Sequence, residues 1–219
     1  IEGETLQHRL DSHGPLTPAE IVLIGQQICA GLAAAHDQGL IHRDIKPANI
    51  LIERGPNLKV KLTDFGLART ADDASQTRSG VIVGTPLYMA PEQATAESID
   101  HRADLFSLGS VLYAMASGRP PFRAPTSVGV MNRVVNESPR PIRNVIPDVP
   151  EGLCQVIAQL HSKKPELRPA SAHEVAESLS RCLSEPLTVS NTDSRKRTGW
   201  PIAVIVAGVL VSISVIALA

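Results

Sequence analysis

Residues 42–50 read "HRDIKPANI", placing an acid (Asp44), a cation (Lys46) and an amide (Asn49) within six positions. The stretch runs into a short apolar segment, "NILI" at 49–52, and a second, "KVKLT", follows at 59–63, separated by the turn-forming "ERGPN". Two short β-rich runs joined through Gly and Pro predict a hairpin. The second strand leads into "TDFG" at 63–66. A hairpin brings its two open ends together, so Asp44, Asn49 and Asp64 are expected to face one cavity. Phosphoryl transfer from a nucleotide needs such a set. A carboxylate must accept the proton of the attacking hydroxyl, oxygen ligands must hold a divalent cation against the phosphates, and a positive side chain must offset developing charge. Asp44 suits the first task, Asn49 and Asp64 the second, Lys46 the third.

Further along, "GTPLYMAPE" occupies 84–92, "DHRADLFSLGSVLYAMASGRPPF" occupies 100–122, and "KKPELRPA" surrounds Arg168. In this order and spacing, "HRDIKPAN", "DFG" and "GTPLYMAPE" resemble the catalytic loop, metal-binding loop and activation-segment end of eukaryotic-type (Hanks-type) protein kinases. The resemblance covers roughly residues 1–183 and implies the large, mainly helical C-terminal lobe with a small β-hairpin. It implies Asp44 as proton acceptor and Lys46 as phosphate contact, Asn49 and Asp64 as ligands of Mg²⁺ (or Mn²⁺), and Leu51 as the floor of an adenine pocket for ATP. Lys46 in "DIKPAN" and Thr85 in "GTPLY" are similar to the serine/threonine branch, where the Thr85 hydroxyl would bridge Asp44 and Lys46. Glu92 and Arg168 resemble a buried structural ion pair, and Asp104 resembles the residue that ties a helix start to the catalytic-loop backbone. Arg43 before Asp44 marks kinases switched on by loop phosphorylation. Ser75, Thr77 and Ser79 are the candidate phosphoacceptors, with Arg43 and Arg69 as partners for the phosphate.

Composition narrows the alternatives. Twenty-one basic against 22 acidic residues leave no electrostatic case for nucleic acid. Cys29, Cys154 and Cys182 stand far apart, without a CxxC pair, which argues against a disulfide framework or a zinc site. Helix signals dominate. Thr17-Pro18-Ala19-Glu20 is a capping box, Ile21, Ile24, Ile28, Leu32 and Ala35 follow at helical spacing, and Gly39 supplies a stop. Further helices are predicted from Ala103 to Gly118, over 126–137 and 151–162, and from a second capping box at Ser171 and Glu174.

The C-terminal part differs in kind. "IAVIVAGVLVSISVIALA", 202–219, carries no charge, and 18 residues at helical rise span roughly 27 Å, close to a bilayer core. Trp200 and "RKR" at 195–197 precede it as interfacial and cytoplasmic anchors. The expected organisation is therefore a kinase lobe over 1–183, a juxtamembrane linker over 184–200 and a transmembrane helix over 201–219. The lobe would lie in the cytoplasm at the inner membrane, as in the bacterial branch of the family. Gly208 and Ser212 form a small-xxx-small pair. The expected partners are protein substrates with Ser/Thr acceptors, the membrane, and a second copy through autophosphorylation.

Within these 219 residues there is no GxGxxG before a strand, no Val-Ala-x-Lys, no helical glutamate to pair with such a lysine, and no GxxxxGK[ST]. "IEGETL" at 1–6 resembles the hinge between the family's lobes, with Ile1 near the adenine contact. The expectation is a non-specific protein serine/threonine kinase in its full-length form. The present residues form a fragment lacking the ATP-clamping lobe, inactive alone. The alternative from another class is a catalytically silent, membrane-anchored binding module that keeps the kinase fold.

Overall fold

A computed structural model describes residues 3–53, 58–65 and 86–182. All of these fall in one compact unit, Ile1–Leu187. The chain enters as strand β1 (Gly3–Thr5), turns at Thr5 into α1 (Leu6–His13), and continues into α2 (Pro18–His36). Strands β2 (Ile50–Glu53) and β3 (Lys59–Leu62) follow, then the short α3 (Pro91–Ala94) and α4 (Arg102–Ser117). The remaining helices are α5 (Ser127–Asn136), α6 (Glu151–Leu160) and α7 (Ala172–Arg181).

The expected hairpin is present as β2–β3, and a third strand extends it. The sheet has three antiparallel strands in the order β1-β2-β3, with Glu4 opposite Ile52 and Ile52 opposite Val60. "GET" carries no β-branched alternation to announce a strand. Its pairing is set by β2, which offers a free edge, and "IEGETL" is thus half strand rather than hinge alone. The turn residues 54–57 lie outside the described residues. Helix α1 was also silent in sequence, because "LQHRLDSH" buries only Leu6 and Leu10. Thr5 starts it by accepting a hydrogen bond from the His8 amide at 3.1 Å.

Helix α2 begins as its capping box predicts. The Thr17 hydroxyl accepts from Glu20 N, and the Glu20 carboxylate accepts from Thr17 N. Ile21, Ile24, Ile28 and Leu32 are fully buried and join residues of α4, α6, α7 and the sheet in the main core. Among the described residues α2 is the helix long and apolar enough to cross a bilayer, with mean hydropathy 1.3 over 18 residues. Its neighbours α7, β3 and α4 explain that apolarity, since half of the stretch is buried inside the protein. The linker and the proposed span, 184–219, lie outside the described residues.

Helix α4 is the axle of the fold, with every residue from Ala103 to Ala116 buried. A helix apolar on all faces must be surrounded, and here α2 packs on one side and α6 on another. Gly109 permits the second approach, because a Cβ there would stand 2.7 Å from Leu160 Cβ. The helix ends at Gly118, whose φ of +73° forms a left-handed cap. A second small core of Ala90, Ala103, Phe106, Phe122, Val130 and Val134 joins α3, α4 and α5.

Candidate active site

The loop from Ile41 to Lys46 has no regular structure, so its backbone groups need partners from elsewhere. Asp104, fully buried in the first turn of α4, supplies them. Its Oδ2 accepts from His42 N at 2.8 Å and its Oδ1 from Arg43 N at 2.7 Å. His36 Nε2, at the end of α2, donates to the same Oδ2 at 2.8 Å. One carboxylate thus joins α2, α4 and the loop. Arg43 bends the chain with φ +66°, and its carbonyl accepts from Gln93 Nε2 at 2.8 Å. Gln93 Oε1 in turn accepts from Ala90 N at the start of α3.

His42 is buried, and its ring fixes the loop to the hairpin. Nε2 donates to the Thr63 carbonyl at 2.9 Å, which leaves Nδ1 to accept from Asp44 N at 3.3 Å. The ring also lies 4.6 Å from that of Phe65. Below it, Thr63 N donates to the Asn49 carbonyl at 3.0 Å, extending the β2–β3 ladder by one rung past Ile50↔Leu62. The hairpin therefore sets Asp64 immediately after the residue opposite Asn49. Asp64 is exposed and adopts φ +58°.

Asp44 is exposed, yet one of its oxygens is occupied. Oδ2 accepts from Lys46 Nζ at 2.7 Å and from Asn49 Nδ2 at 2.9 Å, while Asn49 Nδ2 also donates to the Asp44 carbonyl. Oδ1 accepts no hydrogen bond from the described residues. Asn49 is buried, with its amide nitrogen turned to Asp44. Leu51 is half-buried on the central strand, between Thr5 and Lys61.

Away from the loop, Arg168 Nη1 and Nη2 donate to the two Glu92 oxygens at 2.6 and 2.8 Å, and both residues are buried. The guanidinium also donates to the carbonyls of Ser162, Lys163 and Arg102. Tyr88, between "GTP" and α3, is kept protonated. Burial first, and Asp11 second, push its phenol up to about 12. Arg69, Ser75, Thr77, Ser79 and Thr85 lie outside the described residues.

Residues 1–179 match the protein kinase domain family. The chain belongs to that family. It is 39% identical over 185 residues to serine/threonine-protein kinase pkn2 of Myxococcus xanthus, covering 82% of this chain and 22% of that protein. To serine/threonine-protein kinase PknB of Mycolicibacterium smegmatis it is 38% identical over 183 residues, covering 83% of this chain and 29% of that one. The chain thus spans well under half the length of these curated relatives. The kinase domain of PknI from Mycobacterium tuberculosis has a similar fold, with a TM-score of 0.66 at 23% identity over 83% of this chain and 63% of that one. The family's fold here is mostly helical with a small antiparallel sheet. Sequence reading had missed His36 and Gln93, which hold the loop. Gln93 stands two residues after Pro91, where a side chain reaches back to a helix start, and that spacing was the available signal.

Proposed function

We propose that this chain is the catalytic lobe of a membrane-tethered protein serine/threonine kinase that transfers the γ-phosphate of ATP to Ser/Thr hydroxyls of proteins. The observation that carries this reading is the state of Asp44. Lys46 and Asn49 anchor one carboxylate oxygen while the other is left for an incoming hydroxyl. Asp44 Oδ1 takes the acceptor's proton, Oδ2 remains oriented by its two donors, and Lys46 lies near enough to offset charge on the transferred group.

The donor set fits Mg²⁺ or Mn²⁺. Asp64 offers an exposed carboxylate, and Asn49, with its nitrogen committed to Asp44, offers its oxygen. No group of three or more His, Cys, Asp or Glu stands together among the described residues. A cation shared between one carboxylate, one amide and the nucleotide's phosphates needs no such cage. Bound there, it would neutralise phosphate charge. Leu51 would floor the adenine site, Thr85 would bridge Asp44 and Lys46, and phosphate on Thr77, Ser79 or Ser75 would pair with Arg43 and Arg69.

The domain boundaries belong to the same proposal: lobe 1–183, linker 184–200, span 201–219. Arg195, Lys196 and Arg197 precede the apolar stretch, which supports a cytoplasmic lobe. A cysteine placed at Ser190, in a chain whose native cysteines are replaced, should resist an impermeant thiol reagent in intact cells. Labelling there would reverse the orientation. To test the activity, a small lobe carrying a glycine-rich loop and its lysine is fused ahead of Ile1. Transfer to a Ser/Thr peptide should appear and fall roughly 10²- to 10⁴-fold in Asp44→Asn. Transfer unaffected by Asp44→Asn would overturn the assignment. No transfer from a folded, ATP-binding fusion would favour the silent binding module.

A further inference from the structure

The backbone of Arg43 is held on both sides, from two different helices. Its N–H donates to Asp104 of α4 at 2.7 Å, and its carbonyl accepts from Gln93 of α3 at 2.8 Å. That carbonyl belongs to the peptide group joining Arg43 to Asp44. The N–H of the same group donates to His42 Nδ1 at 3.3 Å. The plane that leads into Asp44 is thus tied at both edges, and the Gln93 bond is the shorter tie. Arg43 enters it with φ +66°, in the left-handed region that side chains other than glycine adopt under constraint. Rotation of the plane towards a relaxed conformation would swing the Asp44 carboxylate with it, and the Gln93 bond opposes that rotation.

The partners leave the Gln93 amide one orientation. Ala90 N–H only donates and the Arg43 carbonyl only accepts, so Oε1 faces the first at 2.9 Å and Nε2 the second. Two bonds through one amide polarise each other, which strengthens both. The platform behind them is firm. Ala90 is fully buried, and Glu92, next to Gln93, is locked to Arg168 by the paired bonds of its carboxylate. Lys46 and Asn49 orient the Asp44 carboxylate from within its own loop, whereas Gln93 sets the backbone beneath it from another element. We propose that Gln93 is a positioning residue for phosphoryl transfer, holding the Arg43–Asp44 peptide group so that the Asp44 carboxylate meets the acceptor hydroxyl. The transfer rests on the kinase reading; the hold on the peptide group does not.

Arginine precedes aspartate at one place in the 219 residues, 43–44. Carbonyl ¹³C in arginine and ¹⁵N in aspartate therefore give a single nuclear magnetic resonance signal, from this peptide group, in the full chain in detergent. Two variants separate the two bonds. Gln93→Glu keeps the acceptor for Ala90 N and loses the donor to Arg43, and Gln93→Lys does the reverse. Gln93→Glu should displace the signal, while Gln93→Lys should leave it near its native position. In the fusion with a small lobe, Gln93→Glu should lower kcat roughly tenfold, with KM for peptide and for ATP within about twofold, because a reacting group slightly misplaced loses rate rather than affinity. Gln93→Lys should keep kcat within about threefold of native, since a donor still meets the carbonyl. A merely structural cross-link would instead lower the melting temperature of both variants and leave kcat of the folded protein unchanged. That result, equal losses of kcat in the two variants, or an unmoved signal in Gln93→Glu would overturn the proposal. A signal displaced in Gln93→Glu, beside a native fusion that binds ATP and transfers nothing, would uphold the hold on Asp44 and sink the kinase reading.

Discussion

His161 titrates where few histidines do. It is buried among the rings of Phe106, Tyr113 and Phe122, 5.2, 6.3 and 5.7 Å away, with Ser110 Oγ 3.1 Å from Nε2. Burial, then the charges of Lys163 and Arg168, lower its pKa from 6.5 to about 3. Between those values the unfolded chain binds a proton that the folded chain refuses. Stability from this residue is therefore complete above pH 6.5 and drains as pH falls towards 3, by at most about 1.4 kcal/mol per unit. Melting temperature should drop more steeply below pH 6.5 in the native protein than in His161→Leu. Parallel curves would remove His161 from the acid response. Its burial could not be read beforehand, because a lone histidine in "QLHSKK" carries no sign of the ring cage that distant residues build around it. The placement of Asp44, Asn49 and Asp64 was legible for the opposite reason. It is local, and a hairpin of short strands dictates the meeting of its ends. His36 acts over 68 residues of sequence, beyond the reach of any spacing rule, while spacing signals only the local end of Gln93 at Ala90 and not its bond to Arg43, 50 residues away.

At the scale of elements, packing rather than propensity decides the fit. The start of α2 could be read from Thr17 and Glu20 and the stop of α4 from Gly118, since caps are made by residues adjacent in sequence. Strand β1 and helix α1 could not, because each depends on what it meets. The approach of α4 to α6 is the sharpest case. With Leu160 Cβ 2.7 Å from where a Gly109 Cβ would stand, Gly109→Ala forces two helices apart. The expected loss is about 1–3 kcal/mol in urea denaturation, despite alanine's better helix propensity. Leu160→Ala should not relieve the loss, since the clash lies at the Cβ that alanine retains. Full recovery in the Gly109→Ala/Leu160→Ala double variant would place the contact at the leucine's outer atoms instead. His161 Cδ2 lies 3.5 Å from the same point, so the overpacked variant should also disturb the buried ring.

For the whole molecule, the loop that carries the proposed proton acceptor is anchored on both sides, while the motifs that would grip a nucleotide are not found within these residues. Asp104, His42 and Gln93 fix the catalytic loop from below, and Asp44 and Asp64 stand exposed above it. In the proposed reading Leu51, on the central strand, floors the base, yet no glycine-rich loop or Val-Ala-x-Lys occurs in the 219 residues to hold β- and γ-phosphates from the other side. Catalysis of this transfer is mainly positioning and preorganised charge, and effective molarities from correct placement account for roughly 7–11 kcal/mol of a barrier. Nucleotide bound on one side only, with water at its phosphates, forfeits most of that. Residues 1–219 purified alone should accordingly show no measurable ATP turnover and only weak nucleotide affinity by calorimetry, while circular dichroism shows the helical fold intact. Robust phosphorylation of a basic protein by the unsupplemented chain, lost in Asp44→Asn, would show that the lobe needs no second clamp.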